Sequence, residues 1–92
     1  MSASVRIPTI LRTYTGGAAE VSVSGSTLRE SIGDLDAQVP GIAARVLNDD
    51  GALRRFVNVY VNDDDVRFLD SLDTPILEGA QISIIPAVAG GA

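Results

Sequence analysis

The side chains that most often carry catalysis are the ones this sequence lacks. It contains no cysteine and no histidine, which removes thiolate nucleophiles, imidazole bases, disulfides and most zinc or transition-metal sites. All seven cationic side chains are arginine, so no lysine amine is present to form an isopeptide bond. Two acidic runs, Asn48-Asp49-Asp50-Gly51 and Asp63-Asp64-Asp65, invite a metal reading because carboxylates are hard-cation ligands. Neither has the spacing of a calcium loop or its distal glutamate, and both read as solvated turns. The remaining chemistry lies in the backbone at the end of the sequence, Ala87-Val88-Ala89-Gly90-Gly91-Ala92. This stretch is small, uncharged and without periodicity, and it reads as a flexible tail. Ala87 to Gly91 span roughly 17 Å when extended, enough to carry a terminal carboxylate into another protein's active site while the body stays outside. A Gly-Gly pair near a chain end is weak evidence by itself, because chain ends fray.

Such a tail needs a body to present it, and 92 residues suit one domain that buries about 60–65% of the surface its unfolded chain exposes. That leaves room for one core and no deep catalytic cleft. Twelve carboxylates against seven arginines give a formal charge of −5. This balance argues against nucleic acid, whose binders neutralise phosphates with cations, and suits a basic protein partner approached by electrostatic steering. No apolar stretch approaches the roughly 20 residues of a membrane span. Met1 to Arg6 lack the charged start and apolar run of a signal peptide. A cytoplasmic protein, independent of membranes, is expected.

Hydrophobic periodicity assigns the elements. Ser4 to Leu11 reads as a strand with Val5 and Ile7 on one face, Pro8 pointing to an edge or a bulge. Thr13-Tyr14-Thr15-Gly16-Gly17 turns the chain into Glu20–Ser24, where Val21 and Val23 face inward. From Ser26 to Val39, Leu28, Ile32, Leu35 and Val39 form one helical stripe. Thr27 and Glu30 match a capping box, and Pro40-Gly41 ends the helix. Ile42 to Leu47 adds a further turn. Arg55 to Asn62 is the clearest strand, with Val57, Val59 and Val61 on the core side; Val66-Arg67-Phe68 follows as a short strand, and Gln81–Pro86 closes the domain with Ile82 and Ile84 inward. The order β-β-α-β-β-β packs one helix on one face of a mixed sheet, an α+β roll. The domain is assigned to residues 1–86 and the tail to 87–92.

The segment Gly79-Ala80-Gln81-Ile82-Ser83-Ile84-Ile85-Pro86-Ala87-Val88-Ala89-Gly90-Gly91 resembles the end of the ThiS/MoaD-type sulfur carriers: a last strand, a proline, small residues, then Gly-Gly. Phe56 to Arg67 and the opening Val5 to Arg12 resemble the CysO branch of that family, which serves cysteine biosynthesis. The resemblance implies a ubiquitin-like β-grasp fold and a protein that is a co-substrate, with no catalytic residues and no bound metal or cofactor of its own. It implies that an ATP-dependent activating enzyme, MoeB/ThiF-like, adenylates the Gly91 carboxylate, which then becomes a thiocarboxylate. Gly90, Ala89, Val88 and Ala87 thread into the partner. In the CysO branch the sulfur then attacks an amino-acrylate derived from O-phosphoserine on a pyridoxal-phosphate-dependent cysteine synthase. A JAMM-type zinc metalloprotease releases cysteine, so ATP, zinc and pyridoxal phosphate belong to partners. The sequence departs from the family by continuing past Gly91 to Ala92, which is expected to be removed before activation.

On the outer face of their strands, Phe56, Tyr60 and Ile85 form a candidate docking patch beside the tail; the alternative is that they stabilise the sheet through cross-strand pairs or lie under another segment. Delivery of sulfur to molybdopterin or thiamine precursors, and ubiquitin-like protein modification, use the same fold and differ in what the tail meets.

Overall fold

The computed structural model describes residues 2–55 and 57–86. Five strands form one mixed sheet: β1 (Ser2–Arg6), β2 (Glu20–Ser24), β3 (Val57–Val61), β4 (Asp64–Asp65) and β5 (Ala80–Pro86), in the spatial order β2-β1-β5-β3-β4. β1 and β5 are parallel; every other pairing is antiparallel. The last strand therefore lies in the middle, with Val5 beside Ile82 and Val59 beside Ile84. Ile82 and Ile84 are buried, as expected from the alternation, and so are Val57, Val59 and Val61.

Helix α1 (Leu28–Gln38) covers the inner face, burying Leu28, Ile32 and Leu35 against Val5, Val23, Val59 and Ile82. Its start is fixed as the sequence suggests: Thr27 Oγ1 accepts the Glu30 amide at 3.2 Å. The reciprocal half departs from a capping box. Glu30 Oε1 reaches past Thr27 and accepts both the amide and the hydroxyl of Ser26, at 2.8 and 2.9 Å. Gly25 is required just before, since a Cβ there would lie 2.8 Å from the Ser31 amide nitrogen. At the other end Asp36 Oδ1 accepts the amides of Gly41 and Ala43, satisfying backbone groups at the start of α2 (Ala43–Val46).

Two expected strands fail, for identifiable reasons. The first strand stops at Arg6 and does not continue to Leu11. Pro8 stands ahead of a 3₁₀ turn over Thr9–Leu11, because proline has no amide to offer either neighbouring strand. β1 is accordingly an interior strand and not an edge. Val66-Arg67-Phe68 is likewise a 3₁₀ turn, started by Asp65 Oδ1 accepting the Arg67 amide at 2.9 Å; pairing on β3 ends at Asp65.

The first acidic run forms a turn; of the second, expected to be a turn throughout, only Asp63 is in one, while Asp64 and Asp65 pair with β3 as β4. Asn62 and Asp63 take positive φ values of 51° and 78° between β3 and β4, the left-handed pair favoured in two-residue hairpin loops. Asn48 Oδ1 accepts the amides of Asp50 and Ala52. Among the described residues no group of three or more His, Cys, Asp or Glu side chains is placed to hold a metal, and no helix is long and apolar enough to cross a membrane.

β5 is tied at its start by Glu78, whose two carboxylate oxygens accept the Ser2 amide at 2.9 Å and its hydroxyl at 2.7 Å. The Ser2 hydroxyl, followed by the Ser2 amide, holds the Glu78 carboxyl below its usual value of 4.5. The Ser26 amide and then its hydroxyl do the same for Glu30. A carboxyl whose folded pKa is lowered binds fewer protons folded than unfolded, so its contribution is present above pH 4.5 and is lost as pH falls through the folded value. Glu30→Gln and Glu78→Gln should each lower the urea midpoint at neutral pH and flatten its decline below about pH 4.5. An acid limb as steep as that of the unaltered chain would contradict the assignment. Thr27→Ala should cost about 1 kcal/mol in the same titration.

Candidate functional site

The site is the end of the sheet at which β5 finishes. Register fixes its neighbours: Pro86 lies opposite Val57, Ile85 opposite Asn58, and Ser83 between Tyr60 and Arg6. Proline suits this position, since a strand end loses little when one ladder donor is missing. On either side of Pro86 is a shallow depression. One, of about 360 Å³, is lined by Ile10, Leu11, Tyr14, Arg45 and Val57; the other, of about 260 Å³, by Arg6, Pro8, Arg12 and Ile85.

The 3₁₀ turn that replaces the end of the first strand builds one wall of this site. It buries Leu11 while leaving Ile10 62% exposed. Arg12 steadies the turn by donating Nε–H to the Ile7 carbonyl at 3.1 Å. Across the exit, Arg45 Nε donates to Tyr14 Oη at 2.7 Å, with its guanidinium 5.7 Å from the centre of the Tyr14 ring.

Tyr60 and Ile85 are on the outer sheet face, opposite the helix, as alternation requires; Tyr60 is half-buried and Ile85 is 49% exposed. They do not face each other. Tyr60 pairs with Ser83 and Asp65, and Ile85 pairs with Asn58, which makes Tyr60 and Ile85 diagonal neighbours on one face. Phe56, the third member of the candidate patch, lies outside the described residues. So do Ala87, Val88, Ala89, Gly90, Gly91 and Ala92.

Sequence reasoning missed the arginines. Arg6 and Arg12 line one depression beside Pro86, Arg45 lines the other, and Arg54 and Arg55 flank Val57. Arg67 donates to Asn58 Oδ1 at 2.7 Å and to the Arg54 carbonyl. Six arginines spread over sixty positions leave no local signal in the sequence; only the parallel β1–β5 pairing and the position of α2 gather them.

The chain matches the ThiS family over residues 5–91. It is 53% identical over 93 residues to the sulfur carrier protein CysO of Mycobacterium tuberculosis, covering 99% of this chain and 100% of that one. It is 35% identical over 66 residues to small archaeal modifier protein 3 of Haloferax volcanii, covering 72% and 71%. A chain of the crystal structure of the Amycolatopsis orientalis BexX/CysO complex superposes with a TM-score of 0.91 at 48% identity, over 97% of this chain and 99% of that one. The ubiquitin-like α+β fold expected from the sequence is the fold observed.

Because Ile84 is 3% exposed and sits one strand-face step before Pro86, Ile84→Ala should destabilise the domain by about 2–5 kcal/mol. Ile85→Ser, on the open face, should change stability by less than about 1 kcal/mol. Urea melts of the two variants check the assignment of faces; equal losses would contradict it.

Proposed function

This chain belongs to the ThiS family, and we propose that it is a sulfur carrier for cysteine biosynthesis, a protein co-substrate whose reacting group is the Gly91 carboxylate. The observation that carries the reading is the near-full-length match to a sulfur carrier, 53% identical over 99% of this chain. The position of Pro86, at the end of the central strand with Gly90-Gly91 four residues on, supports it.

Ala92 follows Gly91 in the sequence, so the proposed route begins with hydrolysis of the Gly91–Ala92 amide; a JAMM-type zinc metalloprotease is the class of partner suited to this. A carboxylate oxygen of Gly91 then attacks the α-phosphorus of ATP on an activating enzyme, pyrophosphate leaves, and the acyl adenylate forms. A sulfide-equivalent donor attacks the carbonyl carbon and AMP departs with the bonding pair, leaving the thiocarboxylate. That sulfur is anionic and nucleophilic at neutral pH, which supplies the function of a thiol in a chain without cysteine. It forms a carbon–sulfur bond to an electron-poor acceptor on a pyridoxal-phosphate-dependent synthase. An acyl shift to the new amino group and hydrolysis by the metalloprotease then release cysteine and restore the carboxylate. All of these enzymes are cytoplasmic partners in this reading.

Glycine at positions 90 and 91 removes the Cβ atoms that would obstruct a narrow channel and permits positive φ. Ala87 to Gly91 set the reach at roughly 17 Å, which keeps the domain at the channel mouth, where Tyr60 and Ile85, with Phe56, dock.

The test is intact mass of the protein from its own cells under sulfur demand. A species lacking Ala92 and heavier by the difference between sulfur and oxygen is the expected outcome. Full-length, unloaded protein alone would refute the carrier reading. The similarity to a small archaeal modifier protein favours one alternative, modification of other proteins, and an amide adduct of Gly91 on a target lysine would select it. In a reconstituted pyrophosphate-exchange assay, Gly91→Val in the chain ending at residue 91 should lose activity by at least about a hundredfold with an unchanged melting temperature.

A further inference from the structure

The protein is acidic overall, yet its charge is divided between its two ends. The end opposite Pro86 is marked by Ser2, Ser24 and Gln81. It gathers Glu78, Glu30, Asp34, Asp63, Asp64, Asp70 and Asp73, placed there by the contacts of Glu78 with Ser2, Glu30 with Ser26, Asp34 with the Ser24 amide, the β3–β4 turn, and the pairing of Arg29 with Asp73. Arg29–Asp73, at 3.5 Å, is the only ion pair among the described residues. The other six arginines are at the Pro86 end, and five of them, all but Arg12, are exposed. The carboxylates nearest this end are Glu20, which lies opposite Arg6 in the β1–β2 ladder, Asp36, Asp49, Asp50 and Asp65, two residues before Arg67. None is within ion-pair distance of an arginine among the described residues, and Asp36 is engaged by two backbone amides.

Carboxylates such as Glu20 lie close by, yet none of the six arginines forms an ion pair among the described residues, so guanidinium groups gathered at one end of an acidic protein are a feature that calls for a partner. We propose that this arginine ring docks on an acidic margin around the mouth of the channel that receives the tail. The proposal rests on the carrier reading and adds the chemistry of the partner's rim.

Reach places the arginines at the rim and not at the reaction. With five residues between Pro86 and the carboxylate of Gly91, the reacting carbon lies up to roughly 17 Å from the ring, beyond the length of an arginine side chain. The guanidinium groups therefore meet the surface around the channel and not the phosphates within it. Several are already oriented: Arg45 by Tyr14, Arg54 by the Ala44 carbonyl, Arg67 by Asn58. Planar forks held in this way lose little entropy on meeting carboxylates. The acidic far end turns away from the same surface, so the two ends orient the encounter with the tail leading. An extended polyanion such as nucleic acid meets this repulsion along most of the molecule.

The test uses the full chain and the activating enzyme from the same genome, with affinity measured by fluorescence anisotropy. Raising ionic strength from about 0.01 to about 0.15 M shortens the screening length from ~30 to ~8 Å and should weaken binding. Arg6→Gln/Arg55→Gln removes two exposed charges that make no hydrogen bond among the described residues. It should raise Kd severalfold at low salt, and adding Arg45→Gln should bring the increase to about tenfold with a flatter salt dependence. Arg29→Gln, at the opposite end, serves as the control and should change nothing. Equal Kd values and salt slopes for the triple variant and the unaltered chain would overturn the ring while leaving the carrier reading intact. Failure of the unaltered chain to bind and, as the form ending at Gly91, to support pyrophosphate exchange would instead remove the carrier reading. Displacement of the chain from the enzyme by a short single-stranded oligonucleotide at micromolar concentration would reassign the ring to nucleic acid and overturn the proposal.

Discussion

The parallel pairing of β1 with β5, which sets Val5 beside Ile82, is the contact on which the rest depends. It joins residues far apart in sequence and places the final strand in the centre of the sheet, between β1 and β3. A parallel pair cannot be joined by a tight turn and needs a crossover; α1 and the segments after it supply one, and the same helix covers the inner face. Burial of Ile82 and Ile84 against Leu28, Ile32 and Leu35 then couples the last strand to the whole core. The chain consequently leaves the domain from one of its best anchored elements. A final strand held in this way adds no ordering cost of its own when the domain docks.

With no thiol, imidazole or primary side-chain amine in the sequence, what the Pro86 end of the domain offers is position and field. Local structure around Pro86 serves both. Pro8 cuts the first strand short and gives a 3₁₀ turn whose Arg12 is fixed on the Ile7 carbonyl. The short helix α2 brings Arg45 to Tyr14. Both features close the core, the turn burying Leu11 and the helix burying Val46. Each also adds a cation beside the exit.

Much of the fold was legible in the sequence because its signals are local. The Leu28-Ile32-Leu35-Val39 stripe, the Thr27 cap and the Val57-Val59-Val61 alternation each depend on a handful of neighbours. The errors occurred where a local pattern competed with a pairing partner. Val5-Arg6-Ile7 continues to alternate toward Leu11, and only the missing proline amide ends the strand. Val66-Arg67-Phe68 alternates too, but Asp65 captures the Arg67 amide and the chain turns. Of the candidate site, the Gly-Gly tail and the outward faces of Tyr60 and Ile85 could be read directly. The arginine ring could not, since its members come from four separate segments, and a net charge of −5 says nothing of how the charges are distributed.

Net charge and charge distribution point to different partners. Summed over the sequence, charge favours a basic surface as the complement. Potential near a surface is set by the charges within a screening length of about 8 Å at physiological ionic strength, and five of the six arginines at the Pro86 end are exposed there. The acidic remainder still acts, but at longer range and mainly as a torque on approach. A carrier visiting several enzymes in turn needs association that is fast and orientated, with dissociation that is also fast. Exposed charge pairs suit that requirement, because each contributes only about 0–1 kcal/mol to holding the complex while raising the rate of productive encounter. A large apolar interface would instead slow release, and on the outer face of this sheet Tyr60 and Ile85 share their ladder with the polar residues Asn58 and Ser83.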